Sequence, residues 1–145
     1  MRLNKVYVSA DSSQRLSMLA QRTGLKPNLA CRLGFCLSLD EFGSATFEEF
    51  GGQADRPKDA GGKGEREFNW STLFGQWDLL FVALLKQRVL HDGLDPEADL
   101  EKQLELHLNR GIFLLFKRMR ELGDLGLLLE RSGGPSSAMD EEVAS

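Results

Sequence analysis

The run Thr23-Gly24-Leu25-Lys26-Pro27-Asn28-Leu29-Ala30-Cys31-Arg32-Leu33 closes one helix and opens another. Glycine tolerates the left-handed backbone that ends a helix, and proline suits a first turn because its missing N–H has no partner there. On the N-terminal side, Ser9 or Asp11 can cap a helix running to about Arg22, with Leu16, Leu19 and Ala20 as a narrow apolar stripe. Before it, Leu3 to Val8 alternates crudely, Val6 and Val8 against Lys5 and Tyr7, which predicts a short strand or extended arm. On the C-terminal side, Leu29, Ala30, Leu33, Cys36 and Leu37 recur at helical spacing, with Phe35 and Leu39 adding apolar surface elsewhere. That pattern predicts a second helix buried on most sides.

The next segment changes character. From Gly43 to about Arg66, Gly51-Gly52, Gly61-Gly62 and Gly64 surround Pro57 among charges of both signs, and a flexible Gly-rich loop is expected at about 43–66. Helical periodicity resumes after Asn69, read as a cap, with Leu73, Trp77, Leu80, Phe81, Leu84 and Arg88 on one face ending near Asp92-Gly93. Asp95-Pro96 supplies a cap and a first-turn proline, and Leu100, Leu104, Leu108, Leu115 and Met119 predict a long last helix to about Glu121, with Gly111 as the point where it bends or divides. Ile112, Phe113, Leu114 and Phe116 place bulky groups all around one turn, more than a small chain covers alone, so a subunit interface is expected. Residues 1–123 thus read as a single helical domain, and 124–145, with Ser132-Gly133-Gly134-Pro135 and Asp140-Glu141-Glu142, as a largely disordered acidic tail. The expected fold class is mainly α: a small helical bundle with a short N-terminal strand and a ribbon-helix-helix-like start.

Composition narrows the function classes. The longest apolar run in the 145 residues, Leu79 to Leu85, is far short of the roughly 20 that span a bilayer, and Met1-Arg2-Leu3-Asn4-Lys5 lacks a secretory signal's apolar core. The cytoplasm is the expected compartment. The net charge of −4 conceals an asymmetry: up to Asp40 the bases Arg2, Lys5, Arg15, Arg22, Lys26 and Arg32 meet only Asp11 and Asp40, and Arg110, Lys117, Arg118, Arg120 and Arg131 form a later basic group. A local basic face is compatible with that distribution.

Enzymatic motifs are missing. His91 and His107 lie far from Cys31 and Cys36 and share no zinc-like spacing with them, so no metal is expected. The stretch ending Gly62-Lys63-Gly64 fails as a phosphate loop: Pro57 stands where its first glycine belongs, and Gly64 where Ser or Thr should hold magnesium. No G-x-S-x-G elbow occurs. Pairs such as Glu48-Glu49, Asp55 with Asp59 and Glu101 with Glu105 read as solvated faces, His107 as a packing or interface residue, and both cysteines as reduced core thiols. The chain is therefore expected to be no enzyme and to need no cofactor.

The strand, the capped helix and the Thr23–Leu33 run resemble a ribbon-helix-helix reader of DNA, in which the start of the second helix faces a phosphate. Pro27 and Asn28 hold that position, while Lys5 is the one obvious donor on the strand. A more specific resemblance spans roughly Leu3 to Glu121. It rests on Arg22-Thr23-Gly24-Leu25 followed by Pro27-Asn28 and Cys31-Arg32-Leu33, on Leu37-Ser38-Leu39, on Glu67-Phe68-Asn69 opening the third helix, and on His107-Leu108-Asn109-Arg110-Gly111-Ile112. Together these segments are similar to the DNA sulfur modification protein DndE family. The resemblance implies a small helical subunit of bacterial DNA phosphorothioation, in which partner proteins mobilise sulfur and hydrolyse ATP. It also implies a homotetramer that binds duplex DNA, nicked duplex in particular, through a basic surface.

Charge clustering around the Gly24 turn makes Lys5, Arg15, Arg22, Lys26 and Arg32 the candidate phosphate contacts, with Arg110 and Lys117 as further candidates and Gly24 as a structural turn. The alternative is a protein–protein adaptor that scaffolds the modification complex without appreciable DNA affinity. A transcriptional ribbon-helix-helix repressor would need base-reading side chains on Leu3 to Val8, which are sparse.

Overall fold

The computed structural model describes residues 5–50, 66–120, 123, 124 and 126. Strand β1 (Lys5–Val8) leads into helix α1 (Ala10–Thr23). Ser9 caps α1, its Oγ accepting from the Ser12 N–H at 3.1 Å. The helix ends at Gly24, whose φ of 75° lets its N–H turn back to the Ala20 carbonyl. Helix α2 (Pro27–Asp40) then starts with proline in its first turn, as its sequence predicts.

The buried face of α2 is rotated from the expected one. Ala30, Cys31, Gly34, Phe35, Leu37 and Ser38 are buried, whereas Leu29 is exposed. Cys36 is also exposed, which corrects its reading as a core thiol, and only Cys31 is buried. Apolar residues occur nearly all around this helix, so periodicity alone could not select its inner face.

After the short helix α3 (Phe47–Phe50), the described chain resumes in strand β2 (Arg66–Asn69), antiparallel to β1 with Val6 opposite Phe68 and Tyr7 opposite Glu67. The expected N-terminal strand is present and finds its partner within the chain. By sequence its partner segment reads instead as the end of a loop followed by a helix cap. Four residues are too few to show alternation, and their strand conformation depends on pairing with β1 across the α1–α2 hairpin. Most of the expected Gly-rich loop and acidic tail lies outside the described residues.

The helix predicted after Asn69 is interrupted. Helix α4 (Trp70–Phe74) stops at Gly75, where φ is 56° and ψ −135°, and a 3-10 turn (Gly75–Trp77) joins it to α5 (Asp78–His91). The interruption re-aims α5: Leu85 and Val89 are buried, while Trp77 and Leu80, assigned to the inner face from spacing, lie outside. The last helix, α6 (Leu100–Arg118), begins four residues after Pro96, because Asp95 and Asp99 close a separate turn in front of it.

Gly111 does not divide α6, which runs unbroken from Leu100 to Arg118. It lies against Gly34 of α2 so closely that a Cβ on Gly111 would run into the Gly34 carbonyl, and a Cβ on Gly34 would come within 2.7 Å of the Gly111 carbonyl carbon. The two backbones touch at this crossing, which makes α2–α6 the most extensive helix pair in the fold. Around it pack Leu16 and Leu19 of α1, Phe35 of α2, Leu73 and Phe74 of α4, and Leu104, Leu108, Ile112 and Leu115 of α6, all fully buried. Apolar burial contributes roughly 25 cal/mol per Å², so this cluster is the main source of stability.

Candidate nucleic-acid interface

Three of the predicted phosphate contacts share one face. On α1, Arg15 and Arg22 are seven residues apart, two turns of helix, and both lean on α6. The Arg15 guanidinium carbon is 5.0 Å from the Phe113 ring centre, and that of Arg22 is 4.5 Å from the Phe116 ring centre. From α6 itself, the Lys117 ammonium sits 5.1 Å from the same Phe113 ring. Phe50 of α3 packs against Phe113 with its ring tilted, ring centres 6.0 Å apart. Arg22 and Lys117 are exposed, and Arg15, Phe113 and Phe116 are half-buried. Cations over aromatic faces gain roughly 0.5–1 kcal/mol at exposed sites and are held extended, which lowers the ordering cost of meeting an anion. Sequence reasoning noted Phe113 and Phe116 only as surplus apolar bulk. Phe113 stands three residues before Phe116 and four before Lys117, which was the available signal that it shares a face with a ring and a cation.

The other candidates are placed differently. Lys26 is exposed at the N-cap of α2. Lys5 pairs with Glu67 across the sheet at 3.5 Å. Arg32 is turned inward, Nε donating to the Leu73 carbonyl at 2.6 Å and Nη2 to that of Thr72 at 3.4 Å, so it fastens α2 to the end of α4. Arg110 is in the core, donating from Nε to Ser38 Oγ at 2.8 Å, from Nη2 to the Ser38 carbonyl at 2.7 Å and from Nη1 to the Gly43 carbonyl at 2.7 Å. Burial, then neighbouring Arg88, pushes the Arg110 pKa below its usual range. Neither Arg32 nor Arg110 presents its charge on the face built by Arg15, Arg22 and Lys117.

A family model described as DNA sulphur modification protein DndE matches residues 5–122. The chain belongs to the DndE family. The match opens at the first residue of β1 and runs through α6, so it takes in the whole cation–aromatic face. The fold is also that of a solved DndE, from Escherichia coli B7A, whose crystal structure is titled as involved in DNA phosphorothioation modification. The superposition has a TM-score of 0.59 at 24% identity and covers 79% of this chain and 98% of that one. No curated protein matches the chain.

One of the segments that carry the DndE resemblance, His107 to Ile112, is where the fold is fastened together. His107 Nδ1 is 2.8 Å from Ser38 Oγ. Asn109 Oδ1 accepts from the Ser9 N–H at 3.0 Å and from Ser12 Oγ at 2.8 Å, while its Nδ2 donates to the Phe50 carbonyl at 2.6 Å. Arg110 and Gly111 make the contacts already described. His107 Nε2 is buried without a hydrogen-bond partner among the described residues, but the other polar groups here satisfy buried backbone or hydroxyl partners that would otherwise be costly. Arg88, which sequence reasoning placed only on a helix face, does the same at the end of α2, donating to the carbonyls of Leu39, Glu41 and Gly43 and to the Asp92 carboxylate. Its spacing of four residues to Asp92 was the legible sign.

Ser38 and His107 are close enough to look like a nucleophile and base, but both are fully buried. Because Arg110 Nε donates to Ser38 Oγ, the hydroxyl proton is left to point at His107 Nδ1, and the histidine acts as a neutral acceptor. Burial first, then Arg110 and Arg88, lowers its pKa to about 4. Cys31 is similarly inert as a nucleophile, since burial raises its thiol to about 12. Among the described residues no cluster of His, Cys, Asp and Glu could hold a metal ion, and no helix is long and apolar enough to cross a membrane.

Proposed function

We propose that the chain is a non-enzymatic accessory subunit of a bacterial DNA phosphorothioation system that holds duplex DNA, nicked duplex included, on the face formed by Arg15, Arg22 and Lys117. The observation that carries this reading is the convergence of those three cations on the rings of Phe113 and Phe116. Membership of the DndE family supports the system. Phosphates would meet charges already held in place, and the exposed Lys26 at the start of α2 is a further candidate contact, as is Lys5 on β1 once it leaves Glu67. Arg32 and Arg110 act by holding the scaffold. The subunit works in the cytoplasm as a homo-oligomer, a tetramer being the favoured state, alongside the proteins that carry out sulfur transfer.

Fluorescence anisotropy with intact, nicked and single-stranded DNA over a salt series tests the reading. Replacing Arg15, Arg22 and Lys117 by Ala should weaken binding to all sequences and flatten the dependence of log K on log salt by about 3, one unit per lost phosphate contact. An unchanged slope would remove this face from consideration. A second reading, an adaptor with negligible DNA affinity, is favoured by the apolar residues that α5 exposes. It predicts association with partner proteins that survives high salt.

A further inference from the structure

The outer face of α5 has its own chemistry. Leu79 is 81% exposed, Leu90 62%, and Trp77 and Leu80 52% each. At the N-terminal end of α5 this face opens onto a cleft of about 320 Å³ with Trp70, Leu79 and Leu100 in its walls and Asp78, Glu97 and Lys86 on its rim. More carboxylates stand nearby: Asp95, Asp99 and Glu101 lie within or just before the first turn of α6. Asp78, Asp95 and Asp99 accept from backbone N–H groups there, which accounts for part of the acidity as capping. Two helix starts contribute only about half a positive charge each, so these five acids, with Lys86 and Lys102 as the nearby bases, leave the rim negative.

We propose that this cleft docks a helix of another protein, one that presents a bulky apolar side chain between Lys or Arg residues. Leu79, Ala83 and Leu90 lie on one side of α5 with Lys86 between the last two, and the cleft beside Leu79 has room for an apolar anchor. The negative rim selects for flanking bases and repels a polyanion such as DNA. A second copy docking by two-fold symmetry would bring like-charged rims together, an unfavourable juxtaposition. The site is also separate from the cation–aromatic face. Leu100 and Phe113 are about 20 Å apart along α6 at about 1.5 Å per residue, so DNA and a protein partner fit at once. The proposal does not depend on DNA binding, and its test contains none.

Trp70 lines the cleft and Trp77 directly precedes its Asp78 in the chain, so the two tryptophans serve as reporters. Full-length protein is titrated with a synthetic Trp-free amphipathic peptide that carries a leucine face flanked by Lys and Arg, and with a twin in which Glu replaces the bases. The basic peptide should shift tryptophan emission saturably to the blue, with affinity at least about tenfold above that of the Glu twin. Leu79→Ser, at an exposed position, should weaken it by about tenfold, and Asp78→Asn with Glu97→Gln should erase the preference between twins. Equal affinity for both peptides, no emission change, or undiminished binding to Leu79→Ser would overturn the proposal. So would a blue shift that grows with protein concentration in the absence of peptide and disappears in Leu79→Ser, because the occupant would then be a second copy.

Discussion

Replacing Gly111 by Ala asks whether α2 and α6 meet backbone to backbone. Alanine is the better helix former by about 1 kcal/mol, so at a solvated or merely bent position the substitution would stabilise the protein. At this crossing the new methyl would run into the Gly34 carbonyl, which no rotamer change can relieve. Even the milder counterpart, Gly34→Ala, puts its Cβ 2.7 Å from the Gly111 carbonyl carbon and 2.8 Å from its oxygen. Reaching ordinary contact there requires the helices to part by roughly 0.5–1 Å, a gap that forfeits a quarter or more of each dispersion contact across the interface. A buried leucine makes some 40–60 contacts of about 0.1–0.2 kcal/mol, so each flanking side chain loses on the order of 1–3 kcal/mol before repacking. Leu104, Leu108 and Ile112 flank the crossing on α6 and are fully buried. After partial repacking and the propensity gain, Gly111→Ala should cost about 3–5 kcal/mol and Gly34→Ala about 1–3 kcal/mol. Urea unfolding followed by far-ultraviolet circular dichroism reads this directly, since a loss of about 3 kcal/mol lowers the midpoint by roughly 2 M at an m-value near 1.5. A Gly111→Ala protein as stable as its parent, or more so, would refute the close crossing.

Two further outcomes follow from buried groups. His107 is neutral in the fold with a pKa lowered to about 4, whereas the unfolded chain takes up a proton near pH 6.5, so its contribution is complete above that pH and is lost as pH falls toward 4. The loss should reach roughly 3 kcal/mol, and urea midpoints between pH 4.5 and 7.5 should fall less steeply for His107→Gln; parallel slopes would exclude His107 as the source. The two cysteines should differ in access: a thiol-reactive dye added to native protein should label the exposed Cys36 and spare the buried Cys31, whose thiol is pushed up to about 12, with both reacting in denaturant. Native labelling of both would contradict the packing of α2.

Helix ends were legible because their causes are local. Ser9, Gly24 and Pro27 act within a turn of themselves, and each does what its chemistry requires. The helical class and the DndE resemblance were legible too, since both rest on residue types and spacing along the chain. Tertiary structure decided whatever depends on which surfaces meet. It turned Arg66–Asn69 into a strand by pairing it with β1, rotated Cys36 out of α2's buried face, and re-aimed α5 at Gly75 so that Trp77 and Leu80 face solvent. It also divided the cations. An arginine looks the same in a sequence whether its guanidinium reaches water or a buried carbonyl, and only the packing of α2 against α6 drew Arg110 inward while leaving Arg22 and Lys117 on a ring-backed surface. Backbone caps are set by neighbours a few residues away, whereas burial of a polar or charged side chain is set by partners that folding brings from far along the chain: a hundred residues for Asn109 and Ser9, and 72 for Arg110 and Ser38.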